Sequence, residues 1–200
     1  MMTTTPWGYD VETDEGRLPP LISVDDFQAL TGSTFDDEAR VEAAIDAVSM
    51  AVRNACHWHV APALECEFVT QGPGRVITLP AMAVQDVTEV TERGEPVEGV
   101  EWLPDGFVRK PCGRRWCPSW RSVEVAYVAG YDLATLPDLG QVVAQIVSNA
   151  IAASPGVLNE RAGDVEIHYN QAASGVAGGA TLLRRDLAML APYRLPALLG

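Results

Sequence analysis

Two cysteines in the segment KPCGRRWCPSW, Cys112 and Cys117, have the residue type and surroundings of reactive thiols. Arg114 and Arg115 lie between them, and nearby positive charge lowers the pKa of a thiol. No histidine lies in an obvious position to act as a base, so a cysteine-dependent enzyme is the lesser alternative. A reducing cytosol also disfavours a disulfide between the two. We therefore expect both cysteines to be structural, in a basic and aromatic surface loop.

A second group of residues, Cys56, His57, His59 and Cys66, has side chains of the types that bind zinc. Their spacing lacks the paired C-x2-C knuckles that make zinc sites recognisable. The alternative is the C-terminus of a helix, where His57 meets the helix dipole and Cys56 packs inside. We favour that alternative and expect neither metal nor cofactor.

The arginines and tryptophans of GRRWCPSWR suit either phosphate groups or a protein interface. They also suit a simpler arrangement, in which the tryptophans pack on a sheet and the arginine stems cover them. The sequence contains no GxSxG, P-loop, GxGxxG or HExxH motif. We therefore predict that the protein is not an enzyme.

The charge is uneven along the chain. The net charge is −13, and the first hundred residues carry all of this excess. A nucleic-acid reader needs a basic face to neutralise phosphates, so this class is disfavoured. An acidic surface can still meet DNA by repelling it and letting it slide past. We expect neither a secretory signal nor a membrane span, because the sequence starts without a basic and apolar run and has no long apolar stretch.

Hydrophobic periodicity predicts an α+β protein, in which the N-terminal and C-terminal helices form a helical bundle and the region between them is antiparallel and β-rich. The N-terminal residues 1–20 are rich in Thr, Pro and acids, and are predicted to be a flexible extension. The folded part is predicted to span 21–191, with a C-terminal tail at 192–200. Its predicted elements are helices at 23–31, 35–56, 138–153 and 180–191, a β region at 64–129 and a strand at 164–170. A hairpin turn is expected at LPDGF, and the leucines of the last helix are expected in the core.

The order of several segments resembles one family. These segments are NACHWHV, GRVITLPAMAVQDVTEVTERGEPV, WLPDGFVRK, WCPSWRSVEVAYVAGYDLATLPDLGQVVAQIVSNAI, NERAGDVEIHYN and LLRRDLAMLAPYR. Leu79-Pro80, the AYVAGY strand with Leu136-Pro137 behind it, and Tyr193-Arg194 are the most telling pieces. Together they resemble the head–tail connector (adaptor, or head completion) proteins of tailed bacteriophages, over about residues 20–195. The acidic N-terminal extension and the cysteine-bearing loop depart from that pattern.

The resemblance implies a structural protein of the virion neck, made in the host cytoplasm. Members form a ring, usually a dodecamer, that docks on the portal protein. The ring extends the DNA channel without sequence-specific binding, and it offers a platform for the stopper or tail proteins. No catalytic residues carry over. Another ring-forming neck protein, a stopper or tail terminator, is the main alternative, although stoppers are mostly β.

Three groups of residues are expected to serve these roles. The portal contact is expected in the C-terminal segment, where an apolar tail with Tyr and Arg suits an interface anchor: Arg184, Arg185, Tyr193, Arg194, Leu195, Leu198 and Leu199. The subunit contact is expected to be head to tail, through the basic loop: Arg114, Arg115, Trp116, Trp120 and Arg121. Acids of the first half are expected to face DNA in the channel: Asp36, Asp37, Glu38, Glu42 and Asp46.

Overall fold

The computed structural model describes residues 1–34, 37–72, 74–152, 159–162, 165–168 and 182–196. These residues confirm the α+β class, with helices and antiparallel sheets. The chain divides into two compact units. The first comprises Met1–Pro19, Cys56–Asp132 and Tyr193–Gly200, and the second comprises Pro20–Ala55 and Leu133–Pro192.

The first unit is built on a six-stranded antiparallel sheet. Its strands are β1 (Met2–Thr4), β2 (Asp10–Glu12), β3 (Leu64–Thr70), β5 (Val84–Glu92), β6 (Glu95–Pro96) and β9 (Val123–Ala129), in the spatial order β1-β2-β3-β9-β5-β6. Strand β9 lies inside the sheet because it pairs with β3 on one side and with β5 on the other. Its residues are alternately buried and more exposed. Val123, Val125, Tyr127 and Ala129 form its buried side.

A smaller three-stranded sheet belongs to the same unit. It consists of β4 (Val76–Thr78), β7 (Glu101–Trp102) and β8 (Phe107–Arg109), in the order β4-β8-β7. The predicted hairpin is confirmed, because β7 pairs with β8 and the Leu103 N–H donates to the Phe107 carbonyl at 2.9 Å. Gly106 closes the turn with φ +84°, in the left-handed region that favours glycine.

The second unit contains the helices. They are α1 (Val24–Thr31), α2 (Glu38–Cys56, up to Ala55 in this unit), α3 (Pro137–Ala152) and α4 (Arg184–Leu190). Helix α3 packs against α1 and α4, and the Arg40 side chain on α2 donates to the carbonyl of Ile151 on α3. Helix α1 starts as predicted, at Ser23 in a capping box with Asp26, and ends at Gly32 in the left-handed conformation. Two further strands, β10 (Asn159–Ala162) and β11 (Val165–His168), pair antiparallel.

The apolar stripe predicted on α2 is confirmed, since Val41, Ile45, Val48 and Val52 are all buried. Two helix boundaries differ from the predictions. Helix α2 begins at Glu38, because the Asp37 side chain accepts the Arg40 N–H and caps it. Helix α4 spans only Arg184–Leu190, and Leu187 on it is exposed instead of lying in the core.

Residues 1–20 are not a flexible extension as predicted, because their first part joins the large sheet. Strand β2 pairs with β1 and with β3, and Tyr9, Val11 and Thr13 are buried between outward-facing acids. The Tyr9 hydroxyl donates to Nδ1 of His59 at 2.8 Å and accepts the His59 backbone N–H at 2.9 Å. These bonds fix the N-terminal segment to the body of the first unit.

Candidate interaction surfaces

The basic loop, residues 110–121, is held at its base by Glu92 at the end of β5. Lys110 donates to Glu92 at 2.5 Å, and the Cys117 backbone N–H donates to the other carboxylate oxygen at 2.7 Å. Burial raises the pKa of Glu92, but these hydrogen bonds outweigh it and hold the pKa of Glu92 below its ordinary value. The carboxylate therefore stays charged and connects Lys110, at the start of the loop, to the backbone of Cys117.

Two glycines let the loop lie against a neighbouring backbone. The Gly72 N–H donates to the Cys117 carbonyl, and the Trp116 N–H donates to the Gly74 carbonyl, each at 2.8 Å. A Cβ on Gly72 would lie 2.3 Å from the Cβ of Trp116, so no larger residue fits there without moving the loop. The loop is thus anchored along its length.

The two tryptophans of the loop have opposite environments. Trp116 is buried, with the Lys110 ammonium 4.9 Å from its ring centroid, so it does not lie on the surface as predicted. Trp120 is 80% exposed. The Ser122 hydroxyl donates to the Cys117 carbonyl at 2.9 Å and closes the short turn that carries Trp120. Arg114, Arg115 and Arg121 are exposed as predicted.

The thiol of Cys117 lies at the edge of this loop. Its sulfur accepts a hydrogen bond from Nε of Arg93 at 3.1 Å and lies 3.3 Å from the Ser119 hydroxyl. Hydrogen bonds, first from Ser119 and then from Ser122 and Arg93, lower the pKa of Cys117 to about 7. Burial instead raises the pKa of Cys56 to about 11 and that of Cys66 to about 12. All four cysteines are free thiols.

Residues 193–195 of the C-terminal segment belong to the first unit. Tyr193 is buried, its ring lies edge-on to that of Tyr131 with centroids 5.6 Å apart, and its carbonyl accepts the indole N–H of Trp58 at 2.7 Å. The Leu195 N–H donates to the Cys56 carbonyl at 3.0 Å. The prediction that Tyr193 is an exposed anchor was therefore wrong, because its ring completes an aromatic cluster within the chain.

Other residues predicted for the portal contact do lie on the surface. Arg184, Arg185 and Arg194 are exposed, and Leu195 is half-buried. A guanidinium nitrogen of Arg194 lies 3.1 Å from Nε2 of His57. Leu198 and Leu199 lie outside the described residues.

The acids predicted for the channel belong to the start of α2. Glu38, Glu42 and Asp46 recur every four residues and so share one face of the helix. Glu38 and Glu42 are exposed, whereas Asp46 is half-buried. Asp37 is exposed and caps the helix, and Asp36 lies outside the described residues.

The residues considered for zinc have other partners. Nε2 of His59 lies 2.8 Å from the Ala129 carbonyl and Nδ1 bonds to Tyr9, so both ring nitrogens are engaged. Because a carbonyl only accepts, Nε2 carries the proton and Nδ1 accepts from the tyrosine. Within the described ranges, no group of three or more His, Cys, Asp or Glu side chains is placed to hold a metal ion.

Sequence reasoning missed the outer face of the small sheet. Val76 and Phe107 on the strands and Leu103 in the hairpin turn have 42–56% of each residue exposed. Ile77 and Val108 are buried, so the strands alternate as expected for a two-sided sheet, but the outer side carries apolar residues beside the polar Thr78 and Arg109. The adjacent apolar residues in Val76-Ile77 and Phe107-Val108 are the sequence pattern from which an exposed apolar face could have been predicted.

Comparisons place the fold among known structures. No protein-family profile matches the chain, and no curated protein matches it. Several solved chains do match, and two of them match along nearly their whole length. One, described as the neck of an empty GTA (gene transfer agent) particle computed with C6 symmetry, has a TM-score of 0.62 and 19% identity, and the match covers 96% of this chain and 97% of that chain.

The other is described as the neck of a native GTA particle computed with C12 symmetry. It has a TM-score of 0.52 and 19% identity, and the match covers 92% of this chain and 98% of that chain. In the part of the chain that the structure describes, no helix is both long and apolar enough to cross a bilayer. At this identity the likeness concerns the fold: the chain has the fold of neck subunits of phage-like particles, as the resemblance to head–tail connectors predicted.

Proposed function

We propose that the protein is a structural subunit of the neck of a phage-like particle, a head-to-tail adaptor that assembles into a ring. The ring docks on the portal protein, extends the DNA channel and provides the attachment platform for the stopper or tail. The observation that carries this proposal is the whole-chain match to two neck chains, both from symmetric assemblies. The C12 symmetry of one of them supports a dodecamer.

The distribution of apolar and charged residues fits a structural role, in which the protein works by contacting other proteins. The apolar stripes of the described helices and strands form the cores of the two units, and the described surface carries charges and several apolar side chains. The thiol of Cys117 has Arg93 and Ser119 beside it, and neither is the histidine that serves as general base in a cysteine enzyme. These observations support a role carried by the surfaces of the protein.

The portal contact is assigned to exposed residues of the C-terminal segment. Arg184, Arg185 and Arg194 supply charge for pairing with carboxylates, and Leu195, Leu198 and Leu199 supply apolar contacts. Tyr193 is buried next to Arg194 and Leu195 in sequence and holds them in place within the first unit. Removal of residues 197–200 keeps Tyr193, Arg194 and Leu195 in the chain, and should still weaken capping of portal-bearing heads.

The channel lining is assigned to the acidic face of α2. Glu38, Glu42 and Asp46 lie on one side of the helix, and negative charge there repels DNA and keeps it moving. Changing these three residues to Lys should slow DNA exit from particles. Unchanged ejection, with the variant confirmed in the particles, would remove this assignment.

The direct test of the proposal is complementation of particles that lack the protein. Filled heads without it should leak DNA and fail to gain tails, and adding the purified chain should restore both properties. Heads that mature and join tails normally in its absence would refute the adaptor role. A block at the head-to-tail step with a stable head would instead favour another neck protein, such as a stopper or terminator.

A further inference from the structure

The outer face of the small sheet forms a groove with an apolar part and a charged edge. It has a volume of about 620 Å³; Val76, Trp102, Leu103 and Phe107 line the apolar part, and the ion pair of Glu101 and Arg109 lies in the same lining. An antiparallel sheet that faces water on one side normally places polar residues there. Three outward apolar side chains on so small a sheet therefore indicate a surface that is covered in the assembled protein.

The first unit also carries a side chain of the matching shape. Trp120 is 80% exposed at the tip of a turn whose base is fixed by Glu92 and Gly72. Fixing the turn in advance removes the entropy cost of ordering it on binding. Tryptophan and arginine are the residues that most often carry the binding energy of protein interfaces. The groove volume lies within the range of about 300–1,000 Å³ that pockets for much larger ligands span, so an indole ring fits.

The charges around the two features are opposite. Residues 95–109, which lead into and through the groove hairpin, contain four acids and one base, Arg109, whose charge is paired with that of Glu101. Residues 110–121, which carry Trp120, contain four bases and no acid. No described acidic side chain forms an ion pair with Arg114, Arg115 or Arg121, so their charges are available to a partner. Opposite potentials on two surfaces favour their association in one orientation.

We infer that the groove receives Trp120 of a second copy of this chain. Because the inserted side chain and the groove are different parts of the same chain, each copy that inserts Trp120 leaves its own groove free for the next copy. Such a contact is heterologous: it propagates head to tail and ends only when a ring closes. This inference rests on the proposed function and identifies the partner of the basic loop.

The test is cross-linking between copies in a Cys112→Ser, Cys117→Ser background, where only buried cysteines remain. A chain with Ser119→Cys is mixed with a chain with Pro104→Cys and treated with a short bis-maleimide, in concentrated solution and on portal-bearing heads. Both positions are exposed, and they lie next to Trp120 and Leu103 in sequence, so the proposed contact itself is kept. We expect linked dimers in the mixture, few in either variant alone, and a ladder when one chain carries both substitutions. A matched mixture of Ser119→Cys with Met50→Cys, also an exposed position, should not link. No ladder in either setting, or equal linking by the control, would overturn the inference.

A second measurement concerns strength. Trp120→Ala should weaken association between copies by at least about 30-fold, whereas Met50→Ala should have little effect. Phe107→Ala should weaken association too. The affinity of the double variant should fall by less than the product of the two single fold-changes, because both substitutions act on one contact.

If Trp120→Ala forms normal rings on heads, the inference fails and the proposed function stands. If the unaltered chain never occupies the neck, both fail. If the variants assemble normally and lose only tail attachment, the groove serves another protein and the inference is wrong.

Discussion

The indole N–H of Trp58 donates to the carbonyl oxygen of Tyr193 at 2.7 Å, and both side chains are buried. The two residues are far apart in sequence, so this bond ties the end of the chain to the segment that follows α2. The Tyr131 ring lies edge-on to both, with centroid distances of 5.5 Å to Trp58 and 5.6 Å to Tyr193. Tyr193 is therefore part of the core of the first unit.

Truncation after Pro192 should destabilise the protein strongly. It removes the Tyr193 ring from the aromatic cluster and leaves the buried Trp58 N–H without its acceptor. Loss of a large buried aromatic side chain costs about 3–5 kcal/mol. We expect the free energy of unfolding, measured by denaturant titration, to fall by at least that amount.

Truncation after Pro196 is the matched control, because it keeps Tyr193, Arg194 and Leu195. We expect it to unfold at nearly the denaturant concentration of the full chain. Equal stability of the two truncated chains would show that the Tyr193 contacts contribute little to stability. It would support the sequence-based prediction that residues 192–200 are a tail outside the folded part.

Replacement of Tyr9 by Phe should loosen the N-terminal strands. The hydroxyl serves His59 twice, as donor to Nδ1 and as acceptor of the backbone N–H, and both groups are buried. Leaving buried polar groups without partners costs roughly 1–3 kcal/mol. Amide hydrogen exchange of residues 2–13 should become faster than in the unaltered protein. Unchanged exchange would mean that pairing with β3 alone holds these strands.

The sequence predicts the elements better than it predicts which surfaces are free. Helices α1, α2 and α3 follow from their apolar spacing and caps, and the hairpin at Leu103–Phe107 follows from its turn residues. Strand β2 was missed because its outward residues are acids, although Tyr9, Val11 and Thr13 alternate with them. Trp116 and Trp120 each lie next to an arginine in sequence, but they have opposite burial. Only the close approach of the backbone at Gly72 decides which of them is inside.

The thiol of Cys117 should be the most reactive cysteine at neutral pH. Its pKa is lowered to about 7, whereas burial raises the pKa values of Cys56 and Cys66 to about 11 and about 12. Labelling with iodoacetamide, followed by mass spectrometry, should modify Cys117 with a rate that reaches half of its maximum near pH 7. Arg93→Gln should shift that midpoint upward. A midpoint above pH 8 in the unaltered protein would contradict the described hydrogen bonds.

Acid should release the basic loop. The pKa of Glu92 is held below its ordinary value of 4.5, so its contribution to stability is complete above that pH and disappears as the pH falls through the lower value of the folded state. Glu92→Gln should cost roughly 1–3 kcal/mol at pH 7, because it leaves Lys110 and the Cys117 N–H poorly paired. The difference in unfolding free energy between the two proteins should disappear as the pH falls through the lowered pKa of the folded state. A difference that does not depend on pH would contradict the ion pair.

The central claim is that this chain forms a ring in the neck of a particle, and averaged electron-microscopy images of particles tagged on this chain test it most directly. The account predicts density for the tag in a closed ring between the portal and the tail, with the C12 symmetry of the similar neck or a symmetry compatible with it. Trp120 of each copy should lie against Leu103 and Phe107 of the next. A tag found on the capsid shell or the tail tube, or missing from the particles, would contradict it.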